Sequence, residues 1–281
     1  LSTKNLTIFY FFFIFVVLIS YLKFLNENKI ITKKNAKPNV YHELFQNYSY
    51  NDNFMKKILI IGNSHGLDLA KALRSNIFFN NNYQIRYLEF GDQCYSHYVN
   101  NYNYLKKFEI IISKFFNFST LQSCPMLISN FSKSLLVKNA DTIIIANRYK
   151  KSSLEYIPAF IETIQTNKNK IILTNNFPRF IDPLTLIELN KKLSVIQINK
   201  KFFEYQDRNV FLVNKLLKDI SNRVNIFYFD KYSLICNNLL ANCDVLLPSR
   251  NLLFSDIDHL STEGHKFLGE KLQNILFHNL F

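Results

Sequence analysis

The sequence predicts an α/β protein, a three-layer α/β/α sandwich on five parallel strands. Short apolar, β-rich runs alternate along the chain with helical stretches, an order that implies a parallel sheet covered on both faces. Hydrophobic residues make up 48% of the 281, enough to bury a full core. The runs are "KKILIIG" (56–62), "YQIRYLEFG" (83–91), "ADTIIIAN" (140–147), "NKIILTN" (169–175) and "VNIFYFD" (224–230), each of strand length and bounded by Asn, Gly or Asp. Helices are expected at 64–76, 153–167, 184–207 and 262–280. The long connections at 92–139 and 176–223 read as helical insertions over one rim. Five such strands suit a flavodoxin-like sheet, whose ligands bind beyond the strands' carboxyl ends.

Ahead of the first strand, residues 6–22 ("LTIFYFFFIFVVLISYL") carry no charge over 17 positions, the short end of what a membrane-spanning helix needs. A core helix is rarely apolar on every side, and no small-x-small cleavage site follows as after a secretory signal. The reading is an anchor within residues 1–22, then a lysine-rich linker over 23–55, then one domain over 56–281. Only Lys4 precedes the span, while Lys23, Lys29, Lys33, Lys34 and Lys37 follow it, which taken alone leaves the domain in the cytoplasm. The first residue is Leu1 rather than Met, and further spans upstream would override that count. The cysteines point the other way. Cys236 and Cys243 bracket "NNLLAN" at a spacing that suits a short disulfide loop and not C-x-x-C chemistry, with two free thiols as the alternative. Cys94 and Cys124 are a second candidate pair.

A net charge of +13 suggests anionic surroundings: a membrane surface, an acidic glycan or nucleic acid. Zinc-finger spacing, a glycine-rich phosphate loop and an aromatic-basic RNA motif are all missing from the sequence, so nucleic acid is set aside. No cofactor and no metal are expected.

The chemistry-bearing stretch is "IGNSHG", residues 61–66. Ser64 follows the first strand and opens the first helix, where backbone N–H groups and the helix dipole can face an anion; a plain helix cap is the rival reading. Far along the chain, "FSDIDHLSTEGHKFL" (254–268) places Asp256 three residues before His259, just ahead of the last helix. A carboxylate so placed can accept from one imidazole nitrogen while the other faces a nucleophile. The D-x-D of Asp256 and Asp258 could instead hold a nucleotide-bound metal, but no nucleotide-fold signal accompanies it. His259, His265 and Asp258 could be metal ligands; the commoner reading puts His265 on the final helix. His65 either lines a pocket or lies on the surface. Arg148 either binds an anionic substrate or pairs with a local carboxylate. Asp68 and Arg74 read as solvated helix charges.

A serine after the first strand with Asp and His together near the C-terminus resembles the SGNH superfamily of GDSL-like esterases and acyltransferases, over roughly residues 56–280. G-x-S-x-G also matches the α/β-hydrolase elbow, but there the serine lies mid-chain. The resemblance makes Ser64 the nucleophile, His259 the base and Asp256 its partner. It supplies three oxyanion donors: the N–H of Ser64, the N–H of Gly91 in "LEFGDQC", and the side chain of Asn147 in "IIIANRYK", or Arg148 if the alignment shifts by one. Asn63 stands where many relatives have Asp. The narrower similarity is to SGNH domains at the C-terminus of type-3 membrane acyltransferases, carried by Ser-His, the two late cysteines before "DIDHLSTEG", and the Arg-aromatic pair Arg148-Tyr149. It implies an extracytoplasmic O-acyltransferase acting on cell-surface polysaccharide beside a membrane acyltransferase partner. An esterase of the same family, or a catalytically silent glycan-binding domain, is the alternative.

Overall fold

The computed structural model describes Tyr50, residues 56–95 and residues 134–279. The expected anchor and linker, most of the first long connection, and Cys124 lie outside the described residues. Among the described residues no helix is long and apolar enough to cross a membrane.

The elements run β1 (Lys56–Gly62), α1 (Ser64–Ser75), α2 (Ile77–Asn82), β2 (Tyr83–Glu89), α3 (Leu135–Asn139), β3 (Thr142–Ile145), α4 (Ile157–Ile164), β4 (Lys170–Thr174), α5 (Pro183–Leu189), α6 (Val195–Glu204), α7 (Asn209–Arg223), β5 (Phe227–Phe229), β6 (Cys236–Asn237), β7 (Asn242–Cys243) and α8 (Thr262–Asn279). The five main strands pair in parallel in the order β2-β1-β3-β4-β5. The chain leaves β1 for β2 on one side and returns to β3 on the other, which opens a crevice at the carboxyl ends of β1 and β3.

Alternation along β1 builds the two halves of the core. Ile58 and Ile60 face a layer that includes Leu69 and Leu73 of α1 and Leu268 and Leu272 of α8. Leu59 and Ile61 face Phe160 and Ile161 of α4 and Leu217 of α7. Because side chains alternate with period two, a strand covered on both faces must be apolar where it is covered, as β1 is over 58–61 and β3 over 143–145. On the first face α8 lies directly against α1: a Cβ on Gly269 would stand 2.4 Å from the Ala72 carbonyl oxygen.

The structure corrects three boundaries. The helix expected over 184–207 is two helices, because Asn190 ends α5 and Ser194 opens α6 with a capping box to Gln197. The segment at 153–167 begins as a 3-10 turn over Lys151–Tyr156 and becomes α4 only at Ile157, with Pro158 in the first turn where its missing N–H costs nothing. The fifth strand shrinks to Phe227–Phe229 because Asn225 takes a φ of 53°, a left-handed turn that Asn tolerates. The connection at 176–223 is also more than an insertion. Its last part, α7, packs Val213, Leu217 and Ile220 on the sheet as a regular helix of the second layer.

Candidate active site

Ser64 stands at the switch point because β1 ends in glycine. A Cβ on Gly62 would lie 1.8 Å from the Ala146 carbonyl oxygen, so only glycine lets the turn after β1 press against the end of β3. Asn63, not Ser64, caps α1: its Oδ1 accepts from the His65 N–H at 3.1 Å and from the Arg148 N–H at 3.1 Å. The departure from Asp at this position therefore keeps a good cap. With the cap supplied by Asn63, the Ser64 hydroxyl is exposed and available.

It meets His259 across 195 residues of chain, with Oγ 2.8 Å from Nε2. The other ring nitrogen, Nδ1, lies 2.8 Å and 3.1 Å from the two carboxylate oxygens of Asp256. An ionised carboxylate only accepts, so Nδ1 carries the proton and Nε2 is left to accept from the Ser64 hydroxyl. Asp256 Oδ1 also accepts from the backbone N–H of Asp258 at 3.0 Å and of His259 at 2.8 Å. Burial alone would raise this carboxyl; those hydrogen bonds and the imidazole outweigh it and hold it below the ordinary carboxylate value.

The loop carrying this pair is tied down from two directions. Asp68, read from the sequence as a solvated charge, is buried: its Oδ2 accepts from the Leu260 N–H at 3.0 Å and its Oδ1 lies 2.9 Å from His265 Nε2. It is one helical turn beyond Ser64 on the same face of α1, and that i,i+4 spacing was the available signal. From the other side, Cys236 and Cys243 form a disulfide across β6 and β7. Backbone bonds lead on from it, Leu253 N–H to Val245 O at 2.8 Å and Ser261 N–H to Leu253 O at 2.9 Å. Cys94 is also disulfide-bonded; its expected partner lies outside the described residues.

Of the expected oxyanion donors, the N–H groups of Ser64 and Gly91 bond to no described group. Asn147 is different. Its side chain is buried, with Oδ1 accepting from the Asn63 N–H at 2.6 Å and Nδ2 donating to the Tyr95 hydroxyl, so this amide locks β1 to β3 rather than standing at the rim.

His65 is buried, 5.5 Å from the His259 ring and 5.8 Å from Phe177. Burial pushes its imidazole down to about 4, against the pull of Asp258, so it is neutral near pH 7. Asp258 is buried as well, with Oδ2 3.0 Å from Arg148 Nη1 and Oδ1 3.4 Å from His259 Nδ1. Burial would raise the Asp258 carboxyl, but His65, Arg148 and His259 outweigh it and hold it low. Lys231, singled out by nothing in the sequence, is fully buried with its Nζ 4.2 Å from the Phe177 ring centre and no hydrogen-bond partner among the described residues; burial pushes it down to about 7. His65, Asp258 and His259 each offer one ligand atom within 4.8 Å of the others. A cation there would meet Arg148 already seated on Asp258, and would draw His259 off Ser64.

A helix-opening serine at the switch point of a five-stranded parallel sheet, with His and Asp from a loop before the last helix, is the frame of serine acyltransferases and esterases. The family model described as "SGNH domain (fused to AT3 domains)" matches residues 34–274, and the chain belongs to that family. It is a serine acyltransferase or esterase of SGNH type. Among solved structures it is similar to the periplasmic domain of a lipopolysaccharide acetyltransferase from Salmonella ser. Paratyphi A, at 15% identity and a TM-score of 0.59 over 80% of this chain and 85% of that one. It is also similar to the acetyl xylan esterase AlAXEase, at 13% identity and TM-score 0.43 over 78% and 98% of the two chains. A GDSL-like lipase from Bacteroides thetaiotaomicron matches at 14% and 0.43 over 80% and 89%. No curated protein matches the chain at a significant level.

Proposed function

We propose that the chain is an extracytoplasmic O-acyltransferase, transferring acetyl groups to a cell-surface polysaccharide through an acyl-enzyme on Ser64. The observation that carries the reading is the unbroken line from Ser64 Oγ to His259 Nε2 and from Nδ1 to Asp256, each step 2.8 Å. Oγ attacks the donor's carbonyl carbon as its proton passes to Nε2, and Asp256 stabilises the imidazolium that forms. The Ser64 and Gly91 N–H groups receive the oxyanion, and the departing group takes the proton from His259. A sugar hydroxyl then gives its proton to Nε2 and attacks the acyl carbon, and the Ser64 Oγ that departs takes that proton back from His259. Arg148 and His65 would line the acceptor's site.

Several features support the placement. A disulfide belongs to an oxidising compartment. The family's fusion to AT3 domains and the periplasmic acetyltransferase of similar fold suit a domain held at a membrane, with residues 6–22 as its anchor and a membrane acyltransferase as its donor. If water replaces the sugar, the same residues make an esterase. The test is a stopped-flow burst with an activated acetyl ester, then addition of polysaccharide. A burst that S64A abolishes, followed by acetylated glycan in excess of free acetate, is the expected result. Deacylation at one rate with every acceptor would leave the esterase reading, and no burst would leave a silent domain.

A further inference from the structure

Beside the triad lies a cavity of about 360 Å³, small among ligand pockets. It shares His65 and Asp258, the chain neighbours of Ser64 and His259, and α7 closes its far side. Its charge is lopsided. Arg148, Lys150, Lys151 and Arg179 face it against two acids, Asp207 and Asp258. His65 adds no charge near neutrality, its imidazole being held near 4 by burial. Both arginines stand on the acids: Arg148 Nη1 is 3.0 Å and Arg179 Nε 3.8 Å from Asp258 Oδ2, and Arg179 Nη1 is 3.5 Å from Asp207. Their side chains nevertheless keep 37% and 39% of their surface. A guanidinium has five donors in a planar fork, so each retains N–H groups to offer. Lys150 and Lys151 are exposed, and neither pairs with an acid among the described residues.

The segment that presents these cations is unusually fixed for a loop. Three successive backbone N–H groups are each held by a side chain from a different part of the fold: Arg148 by Asn63 Oδ1 at 3.1 Å, Tyr149 by Asn176 Oδ1 at 2.7 Å, and Lys150 by Asp92 Oδ2 at 3.2 Å. Asp92 also accepts from Ser153 Oγ at 3.0 Å. With the backbone pinned and the guanidinium seated on a buried carboxylate, the ordering cost of a binding fork is met before any ligand arrives.

We infer that this cavity is an anion subsite, which takes a carboxylate or phosphate substituent on the acceptor sugar with Arg148 and Arg179 as its donors. The acceptor is then an acidic glycan. The inference rests on the reading of Ser64 as the acyl carrier and a glycan as the acceptor. An anion between the two guanidinium groups balances the surplus of positive charge, while Phe177, Val210 and Leu212 offer the sugar ring apolar surface. A neutral sugar would gain only the second of these.

The test compares three acceptors of equal length on the full chain: a neutral galacto-oligosaccharide, an oligogalacturonide and a phosphorylated oligosaccharide. Binding is read by calorimetry at low and high salt. The expected result is about tenfold tighter binding of an acidic probe than of the neutral one, the scale of one charge-assisted contact, with the preference shrinking in salt. Whether the uronate or the phosphate binds better identifies the anion. Arg179→Gln erases most of the preference and Arg179→Lys retains most of it. The double variant Lys150→Ala/Lys151→Ala, on exposed side chains that hold nothing in place, lowers it severalfold. Equal affinity for acidic and neutral probes, or a preference that survives both R179Q and the lysine pair, overturns the inference. Acylation of Ser64 by an activated ester, measured alongside, separates the two readings. Acylation without acid preference rejects the subsite alone, and acid preference without acylation rejects the acyl-carrier reading alone.

Discussion

Asp256 and Asp258 flank a single residue and both reach His259 Nδ1, yet they differ in burial. Asp256 is half exposed and holds the His259 ring at the rim beside an exposed Ser64. Asp258 is buried below them, in a floor it shares with His65, Asp68 and Lys231. The rim must admit substrate and exchange protons, so it is built from groups that water can reach. The floor must keep the rim aligned, and low-dielectric burial strengthens every charge placed there while penalising any left unpaired. Function and alignment are thus divided between two layers of one loop, one proposed to react and the other to hold.

The sharpest way to break that division is to exchange the two carboxylates' fates. S64A should lower kcat by roughly 10⁴-fold or more, and D256N by roughly 10⁴-fold, with unfolding midpoints little changed. D258N should do the reverse, leaving kcat within about tenfold while the unfolding free energy falls by roughly 1–3 kcal/mol, since it strips the shared partner from Arg148 and Arg179. Steady-state kinetics beside urea melts decide between them. A D258N loss of kcat equal to that of D256N would mean that both acids orient His259.

The floor should also show itself in pH dependence. Lys231 is held near 7 where the unfolded amine sits at 10.5, so between those values the unfolded chain binds the extra proton and stability rises with pH. Below pH 7 the whole cost is in place, at most roughly 5 kcal/mol at 1.36 kcal/mol per pH unit. K231M should therefore stabilise most at pH 6 and not at all near pH 10.5, in melts run across that range. His65 acts in the acid window. Between its unfolded value of 6.5 and about 4 the unfolded imidazole takes a proton that the native one refuses, so stability is lost as pH drops through that window, by roughly 3 kcal/mol; H65N should flatten that limb.

Two smaller effects test how the loop is braced. Removing the Cys236–Cys243 bridge should cost roughly 2–3 kcal/mol in the chain-entropy account. Compared without reductant, so that the Cys94 bridge stays closed in both, C236S/C243S should unfold more easily than the wild type by that amount, while equal midpoints would show that the hairpin holds itself. D68N, which weakens the tie from α1 to Leu260 and His265, should cost about 1–2 kcal/mol. It should also lower kcat more than it raises KM, because it shifts the base rather than the substrate.

Local pattern determined much of this protein. The five strands, their parallel pairing and the helices beside them followed from apolar runs and their spacing, and β1 and β2 begin at the residues the pattern named. The D-x-x-H spacing, too, brings Asp256 and His259 within a turn of each other whatever the rest of the chain does. What the sequence left open depended on distant neighbours. Asn147 lies at the end of the expected strand, yet only the closeness of Asn63 and Tyr95 turns its amide inward. Arg148 was divided between a substrate and a carboxylate until Asp258 arrived beneath it from the far end of the chain. Asp68 read as a solvated helix charge and nothing singled out Lys231, because a charged residue's type does not reveal which helix or strand will cover it. Periodicity fixes where a backbone runs and which way its side chains alternate, whereas burial, pairing and the pKa shifts that follow arise only when separate elements pack.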